Sequence, residues 1–141
     1  MIEKFQPSDL NSVMQIWLED NLEAHSFVAK DDFLSHVDEV KAAMLKANIY
    51  VLKQDGVIKA FIGLEDHNIA GLFVDKKYQD QGLGKQLLDF VKLRHQNLTL
   101  NVFNKNKRAL KFYLREGFVL IKEDLDEETE ELDLTLSWSK N

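Results

Sequence analysis

The stretch Tyr78-Gln79-Asp80-Gln81-Gly82-Leu83-Gly84-Lys85 decides how the chain is read. Before it stands an apolar run, Ile69 to Val74, with the composition of a strand. Within and after it, Leu83, Leu87, Leu88 and Val91 recur at helical spacing and mark one apolar face. The segment is therefore a strand-to-helix loop with glycines at the helix start. The first turn of a helix carries N–H groups that have no internal partner. The helix dipole adds partial positive charge there, and together these make a site for an anion. Gly82 and Gly84 let the backbone come close to an oxygen. Lys76, Lys77 and Lys85 add positive charge nearby. A dinucleotide-binding fingerprint would need a third glycine where Leu87 stands, and a P-loop would need Ser or Thr in place of Gln86.

Working outward, the chain shows no internal repeat and no low-complexity linker. Ile2 to Phe5 reads as a first strand. Pro7-Ser8-Asp9 offers an N-cap, and Leu10, Val13, Met14, Trp17 and Leu18 follow at helical spacing. Phe33, Val37, Val40 and Met44 mark a second helix. Ile49 to Leu52 and Val57 to Leu64 are β-rich runs, with the hairpin signal Asp55-Gly56 between them. Glu65-Asp66-His67-Asn68 is a turn before Ile69 to Val74. Beyond the glycine loop and its helix, Leu98 to Phe103 alternates as a strand. Asn106 can cap a helix with Ala109, Phe112 and Tyr113 on its buried face, and Phe118 to Ile121 is a strand after Gly117. Leu132, Leu134, Leu136 and Trp138 alternate with polar residues in a half-buried last strand. The acidic run Glu123 to Glu131 reads as a solvated hairpin connection. The order β-α-α-β-β-β-α-β-α-β-β predicts an α/β (α+β) fold, a mixed and mostly antiparallel central sheet of about seven strands flanked by four helices.

With 141 residues the chain is sized for a single domain over 1–141, large enough to bury a core without staples. Cysteine is absent, which excludes disulfides, thiolate metal sites and a cysteine nucleophile, and suits a reducing, cytoplasmic setting. The four histidines are scattered without a metal-ligand spacing, so no metal is expected. No apolar run approaches the length of a membrane span, and Met1-Ile2-Glu3-Lys4-Phe5 lacks the pattern of a secretory signal. No membrane association is expected. The net charge of −6 conceals a division. Residues 1–75 carry 6 basic and 13 acidic side chains, residues 76–115 carry 10 and 2, and residues 116–141 carry 2 and 9. A basic middle can hold a polyanion, while acidic flanks disfavour a long nucleic acid. The pattern suits a small phosphorylated ligand and predicts no nucleic-acid partner.

A second block, Asn106-Lys107-Arg108-Ala109-Leu110-Lys111-Phe112-Tyr113, is followed by Gly117-Phe118. Together the two blocks resemble the GNAT superfamily of N-acetyltransferases. Gln79, Gly82 and Gly84 match the family loop Gln/Arg-x-x-Gly-x-Gly/Ala. Asn106, Ala109, Tyr113, Gly117 and Phe118 match the family's later block at the same spacing. The order of elements matches too, so the resemblance covers essentially the whole chain. It extends to small bacterial members through Trp17-Leu18-Glu19, His25, Leu72-Phe73-Val74 and Arg94-His95.

This resemblance implies transfer of an acetyl group from acetyl-CoA, a co-substrate, to a primary amine by direct attack in a ternary complex. The acceptor would be a protein lysine or a small cationic amine, which the acidic first 75 residues also favour. Carried over to the matched positions, the loop of Gln79 and the backbone amides of Gln81, Gly82, Leu83, Gly84 and Lys85 would bind the pyrophosphate. Leu72, Phe73 and Val74 would pair with the pantetheine arm where two strands splay apart, with Asn106 beside the arm. Tyr113 would lie close to the sulfur, where a phenol at about 10 can donate to a thiolate whose thiol titrates near about 8.5. The base is open. Many relatives carry a glutamate on the strand before the loop, where this chain reads Ile69-Ala70-Gly71-Leu72-Phe73-Val74. Glu65 and His67 are candidates to accept the amine's proton, and His25 is a candidate on the acceptor side. Two other classes stay open: a non-catalytic acyl-CoA sensor, and an interaction module in which Gly82 and Gly84 merely turn the chain. The chain can act as a monomer or a homodimer.

Overall fold

Alternating burial along successive strands builds this protein around one sheet with helices on its two faces. The computed structural model describes residues 1–24 and 37–140. In chain order the elements are β1 (Ile2–Lys4), α1 (Leu10–Ala24), α2 (Val37–Lys46), β2 (Asn48–Gln54), β3 (Val57–Glu65) and β4 (Asn68–Val74), followed by α3 (Leu83–Lys92), β5 (Asn97–Phe103), α4 (Lys107–Arg115), β6 (Val119–Asp126) and β7 (Glu131–Ser139). The strands form a single sheet in the order β1-β2-β3-β4-β5-β7-β6. Every neighbouring pair is antiparallel except β4 and β5, which run parallel across the α3 crossover. Seven strands and four helices among the described residues match the order read from the sequence.

The period-2 pattern sorts the core into two layers. Leu52, Ala60, Ile62, Leu64, Leu98, Leu100, Leu134 and Leu136 point to one face, where Leu87, Leu88 and Val91 of α3 and Tyr113 of α4 cover them. Ile49, Val51, Ile58 and Phe61 point to the other, under Val13, Met14 and Ile16 of α1 and Met44 of α2. Each such aliphatic side chain contributes about 1.5–3 kcal/mol on burial, so the faces are fixed by register rather than by loops. At the β2–β3 hairpin, Asp55 (φ 56°) and Gly56 (φ 76°) take the left-handed pair that a tight turn requires.

Three sequence expectations need correction or fall outside the description. The acidic run from Glu123 is not all connection: β6 runs on to Asp126, and Glu123, Asp124 and Leu125 pair with Leu134, Asp133 and Leu132 of β7. An edge strand keeps its charged side chains in water while its backbone is satisfied by one neighbour, so the acids impose no burial cost. Pro7-Ser8-Asp9 forms a 3-10 turn of its own before α1. There the buried Asp9 accepts from the Gln6 N–H at 3.0 Å and pairs with Lys53 at 3.2 Å. Phe33 of the expected second helix lies outside the described residues.

Candidate active site

The site begins where β4 and β5 stop pairing. Their register holds only at Asn68↔Thr99 and Ile69↔Leu100. Past that point β4 continues along β3 as far as Val74, and β5 continues along β7 as far as Phe103. Each strand is held by its outer neighbour, so the sheet opens between Gly71–Val74 and Asn101–Phe103. The chain reverses Phe73 to the α1 face, where its ring stacks on Phe61 at 4.9 Å. Gly71 leaves room for that ring, since a Cβ there would overlap Phe73. Leu72 and Val74 face the opening instead, and a cavity of about 580 Å³ lies against them.

One end of the cavity is the loop that enters α3. Gly82 is the N-cap in a left-handed conformation (φ 76°), and the first intrahelical bond runs from the Gln86 N–H to the Gly82 carbonyl at 3.1 Å. The N–H groups of Leu83, Gly84 and Lys85 precede that bond and belong to the unpartnered first turn. A Cβ at Gly84 would meet Phe112, Val74 and Leu72 only at ordinary contact distances of 3.6–3.8 Å, so nothing in the protein itself requires a glycine there. The Arg108 guanidinium anchors the loop to α4, donating to Gln79 Oε1 at 2.8 Å and to Asp80 Oδ1 at 3.1 Å. Asn106 caps α4, its Oδ1 accepting from the Ala109 N–H at 3.3 Å.

The charge of this end differs from the sequence expectation in its source. The Lys85 ammonium is held by Asp89 and by Glu116, at 3.1 Å each. Those hydrogen bonds, Asp89 first, push the Lys85 pKa above its usual value. Lys76 and Lys77 do not line the cavity. The cations that do, besides Lys85, are Arg108, Lys111 and Arg115, all on α4. Their i, i+3, i+7 spacing was a readable signal that the sequence reading did not use.

Tyr113 lines the same cavity, 8% exposed, with its ring edge-on to Phe112 at 5.2 Å and to Phe118 at 5.6 Å. Burial pushes its hydroxyl pKa well above the usual value of 10.0, and the negative charge of Asp20 on α1 adds to the push. The proton is therefore held across the working pH range. The gap to a thiol widens, so the hydroxyl suits hydrogen-bond donation to sulfur better than outright proton transfer. Asp20 also lines the cavity, half-buried. No motif or spacing flagged it.

Of the residues predicted to hold the co-substrate, Leu72, Val74, Gln79, Gly82, Leu83, Gly84, Lys85 and Asn106 are brought together around the cavity with Tyr113. Phe73 and Gln81 do not line it. Neither do Glu65 and His67. Both are exposed beside the β3–β4 turn, at the end of β4 away from the glycine loop. Six strand steps separate the two ends, about 20 Å. The turn is tied in place by the Thr99 N–H donating to the His67 carbonyl at 3.0 Å. His25 falls outside the described residues. Among the described residues no group of three His, Cys, Asp or Glu side chains is placed to hold a metal ion, and no helix is long and apolar enough to cross a membrane.

Residues 45–120 match the family model described as acetyltransferase (GNAT) domain. The chain is 31% identical over 140 residues to the peptidyl-lysine N-acetyltransferase YiaC of Escherichia coli (strain K12), covering 98% of this chain and 96% of that protein. Its fold superposes on the solution structure of apo YjaB from Escherichia coli with a TM-score of 0.83 at 21% identity, covering 98% and 96% of the two chains. The PaiA N-acetyltransferase of Thermoplasma acidophilum in complex with coenzyme A superposes with a TM-score of 0.81 at 17% identity, covering 99% and 98%.

Proposed function

The chain belongs to the GNAT acetyltransferase family, and from that premise we propose that it acetylates the side-chain amine of protein lysines. It is an acetyl-CoA-dependent N-acetyltransferase. Two observations support a lysine acceptor: likeness to a peptidyl-lysine N-acetyltransferase over nearly the whole chain, and the acidic character of residues 1–75. The observation that carries the site is the continuity of the cavity from the glycine loop to Tyr113.

In this reading acetyl-CoA supplies the thioester that the amine attacks. The N–H groups of Leu83, Gly84 and Lys85 receive the pyrophosphate, aided by Arg108 and Lys111. The edge of β4 from Gly71 to Val74, which β5 leaves unpaired, takes the pantetheine arm as a strand would. An N–H near Leu72 or Phe73 polarises the carbonyl. The amine nitrogen bonds to the carbonyl carbon, the carbon–sulfur bond breaks, and the Tyr113 hydroxyl donates a hydrogen bond to the departing sulfur. The attacking amine is neutral, and the one proton it loses as the amide forms is carried by water to the departing thiolate, so coenzyme A leaves as the thiol. Nothing in this scheme is assigned to Glu65 or His67.

The test is incubation with acetyl-CoA and a lysine-containing peptide, with spermidine in parallel. Thiol release together with one acetyl group on the lysine is expected. Acetylation of spermidine alone would overturn the lysine assignment.

A further inference from the structure

Helix α4 lies along the glycine loop and carries a row of cations beside it. Arg108 ties the start of the helix to Gln79 and Asp80, at 2.8 and 3.1 Å. The Phe112 ring reaches within 3.6 Å of where a Cβ on Gly84 would stand. At the far end Glu116 accepts from the Lys85 ammonium at 3.1 Å. Arg108, Lys111 and Arg115 line the cavity from this helix. The first and last of them are separated by about 10 Å along its axis. Their commitments differ. Lys85 is held by Asp89 and Glu116, and Arg108 by Gln79 and Asp80. Arg115 has one ion pair among the described residues, from its Nε to Glu116 Oε2 at 3.7 Å, which leaves both Nη groups open.

We propose that Arg115 receives the 3′-phosphate of coenzyme A and makes that phosphate a condition of tight binding. The proposal rests on the acetyltransferase reading of this cavity and extends it to a part of the co-substrate that the reading leaves unassigned. The pyrophosphate of coenzyme A joins a pantetheine arm to an adenosine whose ribose bears a third phosphate. In the proposed function the arm runs inward, along β4 to the buried Tyr113. The adenosine must then leave by the open rim. Arg115 stands on that rim with its side chain 68% exposed, and it shares Glu116 with Lys85 of the α3 first turn. A phosphate there meets a planar fork of N–H donors that can bind two oxygens at once. The amides of the α3 first turn remain for the pyrophosphate, so the two phosphate groups have separate seats.

The experiment measures binding of coenzyme A and of 3′-dephospho-coenzyme A by calorimetry, in wild type, Arg115→Gln, Arg115→Lys and Lys107→Gln. Lys107 is an exposed cation of the same helix that does not line the cavity, so its variant reports the general field of the basic segment. Wild type is expected to bind coenzyme A about tenfold more tightly than the dephospho form, the scale of a hydrogen bond to a charged group. Arg115→Gln should weaken coenzyme A about tenfold and leave the dephospho form within about twofold of wild type. Arg115→Lys should recover part of the loss, since it keeps the charge without the fork. Lys107→Gln should keep the wild-type preference. Equal affinity of wild type for the two ligands would overturn the proposal. So would an equal loss for both ligands in Arg115→Gln, or a fall in preference as large in Lys107→Gln as in Arg115→Gln. In each of these cases coenzyme A still binds, and the reading of the cavity stands without the Arg115 role. Binding of neither ligand by wild type would overturn that reading and the proposal together.

Discussion

The two ends of β4 are built from similar materials and do opposite things. At Asn68 and Ile69 the strand is paired on both sides, to β3 and to β5, and the preceding turn carries exposed polar side chains. At Leu72 to Val74 it is paired only to β3, and the chain beyond it curls through Gly82 into the unpartnered first turn of α3. Backbone groups are spent on the fold at the first end and left available at the second. In the proposed function the working end of the strand is the one where its ladder stops, not the one where polar residues cluster. Glu65 and His67, the candidate bases, stand at the closed end.

Predictions follow the same contrast, the strongest at the open end. Tyr113→Phe should lower kcat by about 100-fold, the scale of one lost donor at a developing charge. Acetyl-CoA affinity should be preserved in calorimetry, and near-normal turnover would remove the hydroxyl from the chemistry. The same variant carries a stability signature. Below about pH 10 the hydroxyl is neutral in both folded and unfolded chains. Above that, the unfolded tyrosine ionises while the buried one resists, so stability falls as pH rises. Thermal midpoints of Tyr113→Phe should decline less than wild type between pH 9 and pH 11, judged against the ordinary pKa of about 10.

A smaller effect is expected at the loop. Gly82→Val places a β-branched residue at φ 76°, which costs about 1–3 kcal/mol of backbone strain. Acetyl-CoA should bind about tenfold more weakly as the amides of the α3 first turn lose their aim. Unaltered affinity in titrations would mean that the phosphates bind elsewhere. The smallest effect belongs to the closed end. Glu65→Gln and His67→Ala should each leave kcat/KM within about threefold, as exposed substitutions usually do. A tenfold loss with an altered pH–rate profile would move the base to that turn and erase the contrast between the two ends.

Much of this architecture was legible in the residues. Leu83, Leu87, Leu88 and Val91 announced α3, and the alternation of Leu132, Leu134 and Leu136 announced β7, because burial on one face imposes its own period. Gly82 stood out because a left-handed N-cap strongly favours glycine. The continuation of β6 through Glu123, Asp124 and Leu125 was hidden, since an edge strand needs no apolar alternation. The capture of Lys85 by Asp89 and Glu116 was half hidden. Its i, i+4 partner could be counted along the helix, but Glu116 comes from 31 residues away.

The sequence by itself determined the family, the element order, the anion-ready loop and the tyrosine, because each rests on local periodicity or on a residue type that a backbone conformation demands. Only the tertiary structure decided where β4 parts from β5, which cations line the cavity, how firmly Tyr113 keeps its proton and that Asp20 of α1 lines the same cavity. Those are encounters between segments far apart in the chain. Spacing along the chain carries no record of them, because they are set by how helices and strands pack on opposite faces of one sheet.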